Sequence, residues 1–396
     1  MGKVIIVQKN QMLLLVLLDE NSKPLTIQVA PLPERESMAG NIYVGRIQEI
    51  AEGIRAAFVA IDHEQKVFLP IEDDIAPLLL NREYDGRFLK GDELVIQIIT
   101  PALKTKLPTA TLRLSLTGQY CVCKPEDHGV SYSKKLTEEK RKDLKEAMKA
   151  NDFPNRKKYG FVIRTNAGEL TDFAPVMEEM REFAAFFDEL TEKCRYRTLY
   201  SCLYRAQPEY ISLLKDIPVT SYEEIVTDIP EVFEQLKEYD NKAPRLYQDN
   251  MFSLSALYSI ETHLKQALDK KVWLPSGGYL VIEPTEAMVV IDVNSGKGSN
   301  EKNAGRKNLY LKINLEAAKE IARQLRLRNY SGMIMVDFIN MDAKEDRQKL
   351  LTCLEACLKE DSIKTRLVDM TALGIVEITR KKVSRPLMEL LKGNKE

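Results

Sequence analysis

The chain has 396 residues, 44% of them hydrophobic and 30% charged, with a formal net charge of −1 at pH 7. Such a length holds more than one core, and such a composition excludes a largely disordered polypeptide. No apolar run reaches the roughly 18 residues of a helical membrane span, and the near-zero net charge leaves any nucleic-acid contact to local basic clusters.

In chain order, Lys3–Val7 and Met12–Leu18 read as the two strands of a hairpin, ending near the turn Pro31-Leu-Pro33. The Met12–Leu18 stretch is bounded by Lys9 and by Asp19-Glu20, so it is a strand rather than a signal peptide, and a cytoplasmic protein is expected. From Ile42 to about Leu116 the text is strand and turn: Tyr43-Val-Gly-Arg-Ile, Ala56-Ala-Phe-Val-Ala-Ile, Val67-Phe-Leu-Pro-Ile and Leu94-Val-Ile-Gln-Ile-Ile. Short strands at that spacing, punctuated by Gly and Pro, predict a small β-barrel. Beyond Gly118, Leu136–Lys149 is helix-periodic, Tyr159–Arg164 reads as a strand and Pro175–Tyr196 as a long amphipathic helix. A mixed segment runs to about Lys270. The last third alternates strands (Tyr279–Glu283, Ala287–Val293, Met333–Phe338, Gly374–Thr379) with helices (Asn314–Leu327, Glu345–Lys359), which implies a sheet flanked by helices.

Cys121, Cys123, Cys194, Cys202, Cys353 and Cys357 do not make a disulfide framework at this size and lack paired metal-ligand spacing, so buried thiols are expected. The three histidines have no nucleophile or ligand context. The basic clusters, Arg156-Lys157-Lys158, Arg323 with Arg326 and Arg328, and Arg380-Lys381-Lys382, each read as a solvated face.

Chemistry concentrates in two apolar strands. Val289-Val-Ile-Asp-Val-Asn-Ser-Gly delivers Asp292 and Asn294 to one side, because strand side chains alternate. Met333-Ile-Met-Val-Asp-Phe-Ile-Asn-Met delivers Asp337. A carboxylate in such a strand needs a compensating partner. A divalent cation shared by the two aspartates would supply one, and hard oxygen donors point to Mg²⁺ or Mn²⁺. The alternative is helix capping, or pairing with Arg323 or Arg326. On the barrel, Tyr43, Phe58 and Phe68 are candidates to stack bases, with Arg46, Lys66 and Lys106 close in sequence. The alternative is that these rings fill the barrel core.

The motifs Gly40-Asn-Ile-Tyr-Val-Gly-Arg-Ile, Phe68-Leu-Pro, Ile163-Arg-Thr, Leu274-Pro-Ser-Gly-Gly, Ile291-Asp-Val-Asn-Ser, Asn314-Leu-Glu-Ala-Ala, Ile321-Ala-Arg-Gln-Leu-Arg-Leu-Arg, Val336-Asp-Phe-Ile and Val376-Glu-Ile-Thr-Arg occur in one order over nearly the whole chain. In them the chain resembles the catalytic half of the ribonuclease E/G family. The resemblance implies an α+β multidomain architecture. An RNase H-like core is formed by residues 1–38 and 213–276, with an S1-type OB-fold RNA-binding barrel (39–118) and a 5′-sensor segment (119–212) inserted. A DNase I-like α/β catalytic subdomain (277–396) follows. It further implies a Mg²⁺-dependent endoribonuclease that cuts single-stranded RNA to 5′-phosphate and 3′-hydroxyl ends. Asp292 and Asp337 would hold the metal, with Asn294 in support. Phe58, Phe68 and Lys106 would contact RNA. Arg164, Thr165, Gly118 and Val122 would form the 5′-phosphate sensor.

Three departures qualify this expectation. The family's Cys-Pro-x-Cys zinc link does not follow the last strand, and the small domain beyond it is missing. Zinc is therefore not expected, and a monomer or dimer is expected rather than the zinc-linked tetramer. Ala372 stands where a basic residue near the sensor is expected, which predicts a weaker preference for 5′-monophosphate ends. A non-catalytic RNA-binding relative is the competing reading.

Overall fold

The computed structural model describes residues 2–33, 37–100, 107–150, 158–239, 244–296 and 303–392. Lys106, Arg156 and Lys157 lie outside them. The chain divides into two compact units, 1–33 with 221–396, and 34–220.

In the first unit, the strands Gly2–Lys9, Met12–Leu18 and Pro24–Pro31 form an antiparallel meander, so the expected hairpin gains a third strand. Tyr222–Thr227 joins parallel to Gly2–Lys9, and Arg245–Leu246 completes a five-stranded sheet. Leu13 to Leu18 are all buried. A strand covered on both faces reads as a continuous apolar run, which is why Met12–Leu18 shows no alternation.

The second sheet of this unit is six-stranded, in the order Lys271–Trp273, Tyr279–Pro284, Met288–Asn294, Gly332–Asp337, Ile375–Arg380, Thr365–Met370. Only Met288–Asn294 and Gly332–Asp337 are parallel, joined through the helix Asn303–Arg328. A parallel pair needs such a crossover. Ala317, Ala318, Ile321, Ala322 and Leu325 recur at helical spacing along it and pack with Leu350 and Leu354 of the helix Lys344–Lys359. Both helices cover one face of the sheet, through Ile291, Val293, Ile334, Val336, Val376 and Ile378. Asn329, at φ +51°, ends the first helix in the left-handed conformation.

In the second unit, Ile42–Ala51, Ala56–Ala60, Lys66–Pro70, Thr109–Thr111 and Glu93–Thr100 pair in sequence around a ring that Ile42–Ala51 closes against Glu93–Thr100. The expected barrel is thus present, closed and five-stranded. Gly45 is required in it: a Cβ there would lie 2.5 Å from the Val59 side chain. A four-stranded sheet (Gly129–Tyr132, Gly160–Ile163, Cys121–Lys124, Leu116–Thr117) follows. Against it packs the helix Ala174–Lys193, through Val176, Met177, Met180, Ala184 and Phe187. Cys121, Cys123 and Cys194 are buried as expected, and burial pushes the Cys123 thiol up to about 12. Cys202 departs from the expectation, lying exposed on the short strand Cys202–Tyr204, and Cys353 and Cys357 on the helix Lys344–Lys359 are only half-buried.

Candidate active site

The parallel pairing of Met288–Asn294 with Gly332–Asp337 sets Asp292 directly opposite Asp337. Neighbouring strands lie about 4.8 Å apart, so the two carboxylates leave the sheet side by side. Ile291 and Val293, and Val336 likewise, point into the helix-covered core, which forces Asp292, Asn294 and Asp337 onto the other face. Both aspartates are exposed there.

The Asn294 side-chain amide donates to Asp292 Oδ2 at 2.7 Å. Among the described residues no hydrogen bond or ion pair reaches the Asp337 carboxylate. The arginines that could have paired with the aspartates are engaged elsewhere: Arg323 with Glu320 at 2.5 Å, Arg326 with Glu360 at 3.5 Å. Arg328 is buried and donates to Gln324 at 2.6 Å, and Arg380 is buried against Asp361 at 2.7 Å. These arginines are structural, contrary to the solvated-face reading of their clusters. Like charges directly opposite each other destabilise a sheet, and no described cation relieves this pair. Two hard oxygen donors without a nearby His or Cys fit Mg²⁺ or Mn²⁺, since Mg²⁺ is commonly held by one or two carboxylates with waters completing its shell. No group of three or more His, Cys, Asp or Glu that could hold a metal occurs among the described residues; the aspartate pair offers two such side chains.

Two sequence motifs support these strand ends in a way the sequence did not reveal. Asn314, fully buried at the centre of its helix, donates to the Ile339 carbonyl (2.7 Å) and accepts from the Ile339 amide (3.1 Å), two residues past Asp337. Glu316 accepts from the Ser276 amide at 3.0 Å in the turn Leu274-Pro-Ser-Gly-Gly. That turn passes close to the chain beyond Asn294: a Cβ on Gly278 would lie 2.9 Å from the Asn294 carbonyl, and one on Gly296 2.4 Å from the Gly277 carbonyl. The glycines therefore let the hairpin and the chain beyond Asn294 touch.

On the barrel, Phe58 and Phe68 are cross-strand partners with ring centroids 6.0 Å apart at 66°. Ala57, Val59, Val67 and Leu69 line the core, so the two rings alternate to the outer side and are half-buried. Tyr43 is not brought to them. Its ring packs against the barrel core, its hydroxyl accepts from Asn41 at 3.1 Å, and burial raises its pKa. Arg46 is ion-paired with Glu93 at 2.6 Å, and Lys66 is exposed.

The expected sensor residues do come together. Antiparallel pairing of Cys121–Lys124 with Gly160–Ile163 sets Val122 opposite Val162 and brings Arg164 to the Gly118 loop, where its guanidinium donates to the Gly118 carbonyl. The same guanidinium pairs with Asp216. Thr165 is exposed, with its hydroxyl 2.9 Å from that of Ser133. The amides of Gln119, Tyr120 and Cys121 converge on the Glu179 carboxylate, which fills the anion-binding nest they form. A Cβ at Gly118 would sit 2.0 Å from that carboxylate, which would have to shift from the nest. Nearby, burial lowers the Lys215 pKa, while its ammonium donates to Gln207 at 2.6 Å. Ala372 lies exposed in the turn between Thr365–Met370 and Ile375–Arg380.

A closed five-stranded barrel in the same chain as an α/β sheet with an exposed aspartate pair defines a mixed α+β protein with an acidic centre. Comparison with known proteins narrows the class. The model described as the ribonuclease E/G family matches residues 115–383. Ribonuclease E of Synechocystis sp. is 31% identical over 401 residues, covering 98% of this chain and 58% of that protein. Ribonuclease G of Haemophilus influenzae is 32% identical, covering 90% of this chain and 75% of that protein, and ribonuclease G of Escherichia coli K12 is 30% identical over the same shares. The chain belongs to the ribonuclease E/G family, as its motifs led us to expect. It spans about half to three quarters of the length of these curated relatives.

Proposed function

We propose that the chain is an endoribonuclease that cuts single-stranded RNA at the Asp292–Asp337 centre, with Mg²⁺ (or Mn²⁺) as its metal. The observation that carries this reading is the in-register pairing of two exposed aspartates that no described cation neutralises. The relatives' names supply the substrate class. Asp292 and Asp337 hold the cation, and Asn294 fixes the Asp292 carboxylate through its 2.7 Å bond. When bound, a divalent cation supplies Lewis acidity toward water and the phosphoryl oxygens. In-line attack of water on the phosphodiester then breaks the P–O3′ bond, leaving a 3′-hydroxyl on one fragment and a 5′-phosphate on the other.

Within this reading the barrel is S1-type and offers Phe58 and Phe68 to unstacked bases, with Lys106, which lies outside the described residues, as a further RNA contact. The two sheets of the first unit correspond to RNase H-like and DNase I-like parts. Arg164 and Thr165 read a 5′-phosphate at the Gly118–Val122 loop. Because Glu179 fills the backbone nest and Asp216 holds Arg164, an incoming phosphate would have to share or displace Asp216. Together with Ala372, this points to modest discrimination between 5′ ends. The competing reading, an RNA-binding relative without turnover, leaves the aspartate pair without a purpose.

The test is Asp337→Asn. Cleavage of unstructured RNA is expected to vanish while affinity for the same RNA stays nearly unchanged. A variant that cuts at the wild-type rate would remove the metal mechanism.

A further inference from the structure

The register of the catalytic sheet continues past the aspartates to its edge. Asp292 is opposite Val281, and Val281 opposite Lys271. One row along, Asn294 is opposite Tyr279, and Tyr279 opposite Trp273. Directly opposed residues share a face, so Lys271, Trp273 and Tyr279 stand on the same open face as Asp292, Asn294 and Asp337. Strand spacing puts Trp273 about 10 Å from Asn294.

What these three side chains do there is not explained by packing. Trp273 is 64% exposed, although Trp is among the residues most strongly driven from water. Its ring meets Tyr279 edge-on, with centroids 5.3 Å apart at 61°. The Lys271 ammonium sits 4.0 Å from the centroid of Trp273 and 3.6 Å from that of Tyr279. The strand Lys271–Trp273 is the outer edge of its sheet. A lysine on an edge strand discourages sheet-to-sheet association, but an exposed tryptophan promotes it. The lysine is therefore explained by its position, and the tryptophan is not.

We propose that Trp273, Tyr279 and Lys271 form a nucleotide platform that positions single-stranded RNA beside the aspartate pair. An aromatic surface with an adjoining cation is the combination that sequence-tolerant single-strand binding uses: the ring stacks a base, and the ammonium meets a backbone phosphate. A base held on Trp273 places the backbone a few nucleotides along over Asp292 and Asp337. The platform lies within the catalytic sheet itself, whereas Phe58 and Phe68 belong to the other compact unit. It rests on the proposed reading of the chain as an RNA-cleaving protein.

Trp273 is the sole tryptophan of the chain, so its fluorescence reports this site alone. The experiment titrates the full chain carrying Asp292→Asn with a short single-stranded oligoribonucleotide. Saturable quenching of Trp273 emission is expected. In the same background, Trp273→Ala is expected to weaken binding of a labelled oligoribonucleotide by about 5- to 150-fold, with Trp273→Phe recovering most of the loss. Unchanged emission at saturating RNA, or equal affinity in Trp273→Ala, would overturn the platform. Emission that responds to an acidic protein partner and not to RNA would overturn it as well. Quenching together with a wild-type chain that cuts no RNA would support the platform and sink the cleavage reading, so the two failures are distinct.

Discussion

Asn314 holds both backbone polar groups of Ile339 and thereby fixes the chain just past Asp337. Replacing it with Leu leaves those part-buried groups without their side-chain partner, a loss of about 1–3 kcal/mol in denaturant unfolding. Cleavage is expected to slow in the same variant, because Asp337 loses its anchor while keeping its carboxylate. Phe58 belongs to a different part of the chemistry. Phe58→Ala removes half of a half-buried ring pair on the outer side of the barrel and is expected to weaken binding of unstructured RNA by roughly 1–3 kcal/mol, measured by titration. Unaltered affinity would mean that the barrel does not use that ring. Arg380 is purely structural: its guanidinium pairs with Asp361 and donates to Asn329 at 2.8 Å, with both members of the pair almost fully buried. Arg380→Ala strands a buried carboxylate and is expected to cost about 3–5 kcal/mol of stability.

The helix Asn303–Arg328 contributes at the scale of elements, because it connects the two strands that carry the aspartates and buries one face of their sheet. Within it Glu320 accepts from Arg323 and Gln324. Burial alone would raise the Glu320 pKa, but the bonds from Arg323 and Gln324 outweigh it and hold the carboxyl below its ordinary value near 4.5. A depressed carboxyl stabilises the fold above the unfolded value, and this contribution is lost as pH falls through the folded value. Glu320→Gln should therefore flatten the decline in stability below about pH 4.5 in urea titrations. Elements with a clear period were legible in the sequence: the strands Tyr279–Pro284, Met288–Asn294 and Gly332–Asp337 and the helix Lys344–Lys359 fall within a residue or so of expectation. The helix Asn303–Arg328 begins well before the expected Asn314: residues 303–308 carry no large apolar side chain, and the signal that extends it is the i,i+4 pair Leu309 and Ile313, both packed in the core. Lys271–Trp273 and Thr365–Met370 were missed because edge strands bury little and so write little alternation. For the same reason no alternation marks out Trp273, two residues from Lys271, although the chain's single tryptophan is a signal the sequence does carry. Tyr43 could not be told from Phe58 and Phe68 without knowing which strand faces close the barrel.

For the whole molecule, two compact units divide the parts that the proposed function needs: the barrel and Gly118 loop in one, the aspartate pair and the Trp273 platform in the other. No helix among the described residues is long and apolar enough to cross a membrane. Family membership follows from the chain's extended likeness to named ribonucleases, whereas cleavage itself rests on the paired aspartates. The most direct measurement is cleavage of a short 5′-monophosphorylated single-stranded RNA with Mg²⁺ and with EDTA, for wild type and Asp292→Asn. Cuts that need Mg²⁺ and disappear in the variant are the predicted result. Binding without cutting in every condition, or cutting that survives Asp292→Asn, would contradict the account.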